Sequence, residues 1–231
     1  MLDPKGRVAM VSGASRGIGR RIMERLLAAG WQVSAGVRTP SGMAAAEGLM
    51  AHRYSAESTA DAKAWAAATM ARFGRIDALV NAAGVSRASP LDDDDEAAID
   101  AMWEVNVKGP LRAIRAALPH LRASGTGRVL NIASLSGKRL TNANFGYAMS
   151  KFALIALTQA VRREGWEHGI RATSLCPGFV ATDMTAHVSD VPAATMTDAG
   201  DIAALAEILL ALPNNATVGE LLVNWKLEPM L

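Results

Sequence analysis

The sequence predicts an α/β protein, a doubly wound parallel sheet of about seven strands with helices on both faces. Three observations predict it. Strand-like and helix-like apolar periods alternate from end to end. A glycine-rich turn joins the first strand to the first helix. Half of the 231 residues are hydrophobic and mean hydropathy is slightly positive, which suffices for a large buried core.

"RVAMVS" (7–12) reads as a buried strand, followed by a turn from Gly13 to Gly19. Apolar spacing becomes helical through "IMERLLAAG", with Gly30 as the stop. "WQVSAGV" (31–37) is a second strand, and a short helix is expected at 41–49. A weak strand near 50–54 and a helix over 58–73 come next. The order repeats with "RIDALVN" (75–81), a helix over 93–122 and the strand "GRVLNIAS" (127–134). A helix at 145–168, the strand "IRATSLC" (170–176), a helix at 198–212 and the strand "GELLVN" (219–224) complete the pattern. Strands separated by crossover-length helices imply parallel pairing. No linker or repeat interrupts residues 1–231, so one dinucleotide-binding and catalytic domain is expected.

Composition excludes several classes. A net charge of +2, dispersed along the chain, does not describe a nucleic-acid surface. The single cysteine, Cys176, permits no internal disulfide and fits a reducing compartment. "MLDPKGRVAMVSG" lacks the apolar stretch of a signal peptide, and no run is long enough for a membrane span, so a cytoplasmic protein is expected. Asp92–Glu96 suits a helix N-terminus better than a metal site. The histidines at 52, 120, 168 and 187 lack ligand spacing, so no metal is expected. Trp65, Trp103 and Trp166 fall in helical patterns as packing residues, and Cys176, with no activating histidine indicated, reads as a buried small residue.

"SGASRGIGR" (12–20) leaves a strand and opens a helix. Its glycines permit unusual dihedrals and close approach of backbone N–H groups to a pyrophosphate, which the helix N-terminus also favours. Gly13, Ser15, Arg16, Gly17, Ile18 and Gly19 are therefore candidate cofactor contacts in a Rossmann-like first βα turn. The spacing G-x-x-x-G-x-G differs from the G-x-G-x-x-G fingerprint.

"SGASRGIG", "NAAG" (81–84), "YAMSK" (147–151) and "PGFVATDM" (177–184) stand in the order and spacing of the short-chain dehydrogenase/reductase family, which the chain resembles over about residues 7–184. The resemblance implies cofactor contacts at Asn81, Ala82 and Gly84, where Ala82 replaces a commoner second Asn. It implies others at Pro177, Gly178, Val180 and Thr182, the last two near the nicotinamide amide or phosphates. An Asp–hydrophobic pair that lines adenine in the family is replaced by Ser55–Ala56, which weakens that contact.

An acidic residue at the end of the second strand ordinarily binds the adenosine ribose hydroxyls. Val37 occupies that place, followed by Arg38, with Arg16 in the glycine turn. Two guanidinium groups with no opposing acid favour a 2′-phosphate, so the expected cofactor is NADP(H).

Tyr147 and Lys151 are four residues apart, hence on one helix face. A lysine cation beside a phenol is expected to lower its pKa from ~10 towards useful acid/base behaviour. Such a pair occurs by chance in many helices, and context selects this one. Ser134 ends a strand thirteen residues earlier, where open α/β sheets present ligand-contacting groups. Ser136 is its neighbour, and the family interval selects Ser134. Asn106 in "NVKG" matches a family asparagine that helps hold a water linking the lysine to solvent.

The resemblance implies hydride transfer between nicotinamide and a carbonyl or alcohol carbon, with Tyr147 exchanging the proton and Ser134 polarising the oxygen. Lys151 tunes Tyr147 and, with it, contacts the nicotinamide ribose. A short lid is expected at 184–198, leaving a small-molecule substrate unspecified. The tail "LLVNWKLEPML", with Asn224 and Trp225 in place of an acid and a glycine, suggests subunit contacts. A homotetramer, or else a dimer, is expected. The alternative function is a non-catalytic dinucleotide-responsive sensor or scaffold, which a broken tetrad would favour; all four residues are present.

Overall fold

The computed structural model describes residues 1–141 and 144–227. Seven strands form one parallel sheet: β1 (Val8–Ser12), β2 (Gln32–Val37), β3 (Leu49–Arg53), β4 (Ala78–Asn81), β5 (Arg128–Ile132), β6 (Arg171–Pro177) and β7 (Glu220–Val223). Their order is β3-β2-β1-β4-β5-β6-β7. The winding reverses between β1 and β4, where Ser12 is in register with Asn81. The cleft outside the carboxyl ends of these strands is the place such sheets offer a ligand.

Alternation within the strands builds two cores. Ala9 and Val11 face α1 (Gly17–Ala28) and α6 (Ala199–Ala211), through Ile22, Leu26, Ile202 and Ala206. Met10 faces the opposite layer of α2 (Thr59–Phe73), α4 (Gly109–Ser124) and α5 (Phe145–Gly165), through Trp65, Leu121 and Val161. Each fully buried side chain of this size contributes roughly 1.5–3 kcal/mol. Trp65 fills its layer so closely that a Cβ on Gly36 would lie 2.8 Å from its ring. Trp65 is therefore a packing residue. Trp103 and Trp166 are instead 38% and 41% exposed, and Trp166 carries the Arg171 guanidinium 3.7 Å from its ring centroid.

Two helices differ from expectation. At 41–49 only a 3-10 turn forms, Pro40–Gly42. Ala44–Ala46 are exposed there, so no buried face repays helix nucleation. The helix expected over 93–122 starts at α3 (Ala97–Trp103), after Asp95 Oδ1 accepts the Ala97 N–H at 2.9 Å. It then widens into a π-turn, Glu104–Lys108, before α4. Pro110 explains the break: it has no N–H to give the Asn106 carbonyl four residues back. Gly109 N–H reaches five residues back to Glu104 instead.

Candidate active site

The carboxyl rim of the sheet gathers the expected site residues. At the first turn, Gly13 takes φ +66° and a Cβ there would lie 2.7 Å from Ala83 N, so only glycine lets β1 and the loop after β4 meet. Ser12 Oγ fixes that loop by accepting the N–H groups of Ala82 (3.1 Å) and Ala83 (3.2 Å). Gly17 opens α1 against Thr182, whose Cγ2 would stand 3.5 Å from an added Cβ. The glycine turn, the loop holding Gly84 and the segment after β6 thus enclose one cleft. Ser15 and Arg16 are exposed on it, while Ile18 and Gly19 pack inward.

Asn106 and Lys151 both flank Gly84, at 3.4 and 3.8 Å from its Cβ position. Lys151 Nζ donates to Ile132 O at 2.8 Å, at the end of β5. Two residues past the end of that strand, Ser134 Oγ accepts the Ser136 N–H at 3.0 Å and donates to Pro177 O at 3.5 Å. Ser136 supplies a backbone donor, and Ser134 is the serine that reaches Tyr147.

The electrostatics depart from expectation. Burial pushes the Tyr147 phenol up to about 12, and the Ser134 hydroxyl offsets only part of this. Burial lowers Lys151 to about 8, opposed weakly by Cys176. No lowering by lysine offsets the phenol's rise, because a Lys151 lowered to about 8 has lost its charge before a phenol near 12 ionises; its Nζ donates to Ile132 O and stands 5.5 Å from the Tyr147 ring centroid. The protein alone therefore holds a neutral phenol beside a cation at neutral pH. A protonated phenol is a proton donor.

Several of the expected contact residues have defined protein partners. Asn106 Oδ1 accepts Val85 N–H (2.8 Å), while Nδ2 donates to Val85 O (2.9 Å) and Ser150 Oγ (3.0 Å). Both amide hydrogens are thus spent on protein groups, and its main-chain carbonyl lacks the donor that residue 110 would supply were it not proline. Asn81 is buried, donating to Asn131 Oδ1 at 2.8 Å, and its side chain faces the sheet instead of the cleft. Val180 is buried in the core, so it can offer a ligand only its main chain. Ser55 spends its N–H on Asp61 (3.0 Å) and its hydroxyl on Glu57 (3.4 Å).

Other contributors had no sequence signal. Asn131 Nδ2 donates to Thr158 Oγ1 at 2.8 Å, and Thr158 to Leu154 O at 2.9 Å. This buried chain runs from β4 through β5 to α5 and holds the Tyr147–Lys151 helix to the sheet. Asp183 places Oδ2 3.6 Å from Arg16 Nη1 across the cleft mouth, with both side chains about 70% exposed. Arg38, also exposed, follows β2 directly. Cys176 is buried and its thiol raised to about 11 by burial and then Glu220, which leaves it a poor nucleophile. The segment expected as a lid contains two 3-10 turns, Asp183–Thr185 and Ala193–Thr195, and a bridge between Val180 and Thr197 ties it to the rim. Among the described residues no three His, Cys, Asp or Glu side chains converge, and no helix is long and apolar enough to cross a membrane.

Comparison with known proteins matches this arrangement. The family model described as short chain dehydrogenase covers residues 7–192. The chain is 40% identical over 217 residues to an agropine synthesis reductase of Rhizobium rhizogenes, covering 91% of this chain and 50% of that protein. It thus spans about half the length of that relative. It is 36% identical over 198 residues to 2-(R)-hydroxypropyl-CoM dehydrogenase of Xanthobacter autotrophicus, covering 80% of this chain and 79% of the other. Among solved structures, an alcohol dehydrogenase from the archaeon Thermococcus sibiricus, complexed with 5-hydroxy-NADP, superposes with a TM-score of 0.84 at 28% identity. That superposition covers 94% of this chain and 95% of the other. With its sheet order, glycine turn and Ser134–Tyr147–Lys151 cluster, the chain belongs to the short-chain dehydrogenase/reductase family of oxidoreductases.

Proposed function

We propose that this protein is an NADP(H)-dependent oxidoreductase that reduces a carbonyl to an alcohol, or runs the reverse, with Tyr147 as the proton-exchanging group. The observation that carries this reading is the meeting of Ser134, Tyr147 and Lys151 at one end of β5, beside a cradle that tolerates no Cβ at Gly13. The names of its relatives, a reductase and a dehydrogenase, describe the two directions of such a reaction.

The cradle fits a dinucleotide. Gly13, Ser15, Arg16, Gly17, Ile18 and Gly19 would hold the phosphates, and Ala82, Gly84 and the main chain of Asn81 the middle of the cofactor. Pro177, Gly178, Val180 and Thr182 would contact its nicotinamide end. Arg38 and Arg16, with Val37 where an acid would stand, support a 2′-phosphate. When bound, the nicotinamide supplies hydride exchange with the substrate carbon.

The chain's own residues do the rest. Ser134 donates a hydrogen bond to the substrate oxygen. Tyr147, protonated at neutral pH, delivers its proton to the alkoxide that develops there, or recovers it in oxidation. Lys151 keeps a positive charge beside the phenolate that proton loss leaves, and contacts the ribose. Asn106 holds the segment at Val85 and the start of α5 through Ser150, keeping Lys151 placed. The same reading takes the protein as one cytoplasmic domain acting on a small molecule, assembled as a homotetramer or else a dimer.

The test is NADPH oxidation across a panel of ketones and aldehydes, with Tyr147→Phe as control. Loss of turnover with NADPH binding retained supports the proposal. Undiminished turnover in Tyr147→Phe overturns the mechanism.

A further inference from the structure

The dinucleotide cradle uses the rim above β1 and β4, and the proton-transfer group stands at β5. The substrate must then enter from the remaining rim, above β6 and β7. There the chain turns back on the site. Pro177 is in register with Val223, and Gly178 N–H donates to Val223 O at 2.9 Å. Two residues past β7, the indole of Trp225 lies on Gly178: a Cβ there would be 2.6 Å from Trp225 Cδ1 and 3.4 Å from Nε1. The same Cβ would stand 3.3 Å from Leu135 Cδ1, the neighbour of Ser134. Phe179 meets the indole edge-on, with centroids 5.5 Å apart and planes at 70°.

Glycine at 178 is thus required by the indole packed on it and not by a left-handed backbone. Trp225 is only partly buried, with Lys226 Nζ 4.8 Å from its ring centroid, and it packs on the residue after Pro177, whose carbonyl accepts from Ser134 Oγ at 3.5 Å. Nothing in the hydride or proton step uses it. Resting on the proposed carbonyl chemistry, we infer that Trp225 is a specificity-determining residue: it forms the substrate-side wall of the cleft and favours carbonyl compounds with an aryl or other bulky apolar substituent.

The experiment compares acetophenone with acetone as substrates for wild type, Trp225→Ala and Trp225→Phe. Removing a large apolar contact should raise KM for acetophenone about tenfold or more in Trp225→Ala and change acetone less than about threefold. Trp225→Phe should retain part of the preference, and NADPH affinity should match wild type in both. Equal changes for the two ketones, or lost NADPH affinity with unchanged selectivity, would overturn the inference, since Trp225 would then only brace the turn. Binding is read separately. With NADP+ present, acetophenone should quench tryptophan fluorescence in wild type and not in Trp225→Phe. Quenching that does not depend on Trp225 overturns the assignment. Trp225-dependent quenching without NADPH oxidation by any carbonyl supports this wall and overturns the proposed reaction instead.

Discussion

Lys151 Nζ stands 5.5 Å from the centroid of the Tyr147 ring while its proton is directed to Ile132 O at 2.8 Å. The lysine is buried, and burial lowers it from 10.5 to about 8. An unfolded chain holds that proton to the higher value, so between these limits the unfolded state binds more protons. Stability from this group therefore increases as pH rises through the window. Wild type is expected to gain stability relative to Lys151→Met from pH 8 to 10.5, approaching about 3 kcal/mol. Urea denaturation of both proteins across that range measures it, and a constant difference contradicts it.

The same group shapes the rate. Tyr147 remains a phenol well beyond pH 8, because burial holds it up to about 12. A fall in carbonyl reduction above pH 8 would accordingly report loss of the Lys151 charge. The kcat/KM profile for NADPH is expected to bend downward near pH 8, and Lys151→Arg, which stays charged, should shift the bend upward.

Asn106 gives a stability prediction with a kinetic consequence. Its amide closes on both backbone groups of Val85 and on Ser150, all within 3.0 Å. Asn106→Ala leaves these partners unsatisfied in a part-buried setting, at a cost of roughly 2–3 kcal/mol. The loss should appear in the urea midpoint. Activity measured where the variant is still folded should also fall, because Ser150 precedes Lys151 directly.

Most of the fold was legible because its strands are short apolar runs buried on both faces, such as "VAMVS", and the glycines mark where the first one ends. Tyr147, Lys151 and Ser134 were legible because their relationship is a spacing along the chain. What escaped is pairing through space. The Arg16–Asp183 contact joins residues on separate elements, and Asn131 and Thr158 meet only because β5 and α5 pack together. The phenol's high pKa was hidden for the same reason: it depends on how much protein surrounds it, which no spacing records. The false helix at 41–49 is the complementary case, since alanines favour a helix but here bury no face.

Cofactor choice is testable at the cleft mouth. Arg38 is exposed and Arg16 is shared with Asp183. Arg38→Ala should raise KM for NADPH about tenfold and leave NADH nearly unchanged. Asp183→Asn frees the Arg16 guanidinium and should lower KM for NADPH a few-fold. Both effects should shrink at high ionic strength, because these charges are solvated. Equal responses with NADH would remove the 2′-phosphate from the explanation.

The opposite end of the sheet provides a prediction that separates stability from chemistry. Asp77 is fully buried before β4, yet Oδ2 accepts Val8 N–H (2.9 Å) and Arg75 Nε (2.7 Å), and Oδ1 accepts Arg75 Nη2 and Ser124 Oγ, each at 2.7 Å. Burial alone would raise its pKa, but the hydrogen bonds from Arg75, Ser124 and Val8 outweigh it and hold the carboxyl below its ordinary value. A depressed carboxylate contributes stability that is present above its unfolded pKa and is lost as pH falls through the folded one. Asp77→Asn should cost roughly 3 kcal/mol at pH 7, and that deficit should narrow as pH drops below about 4. Since Asp77 ties the amino ends of β1 and β4 together, remote from the carboxyl rim, kcat of the folded variant should match wild type. A fall in kcat without loss of stability would mean that the two ends of the sheet are coupled.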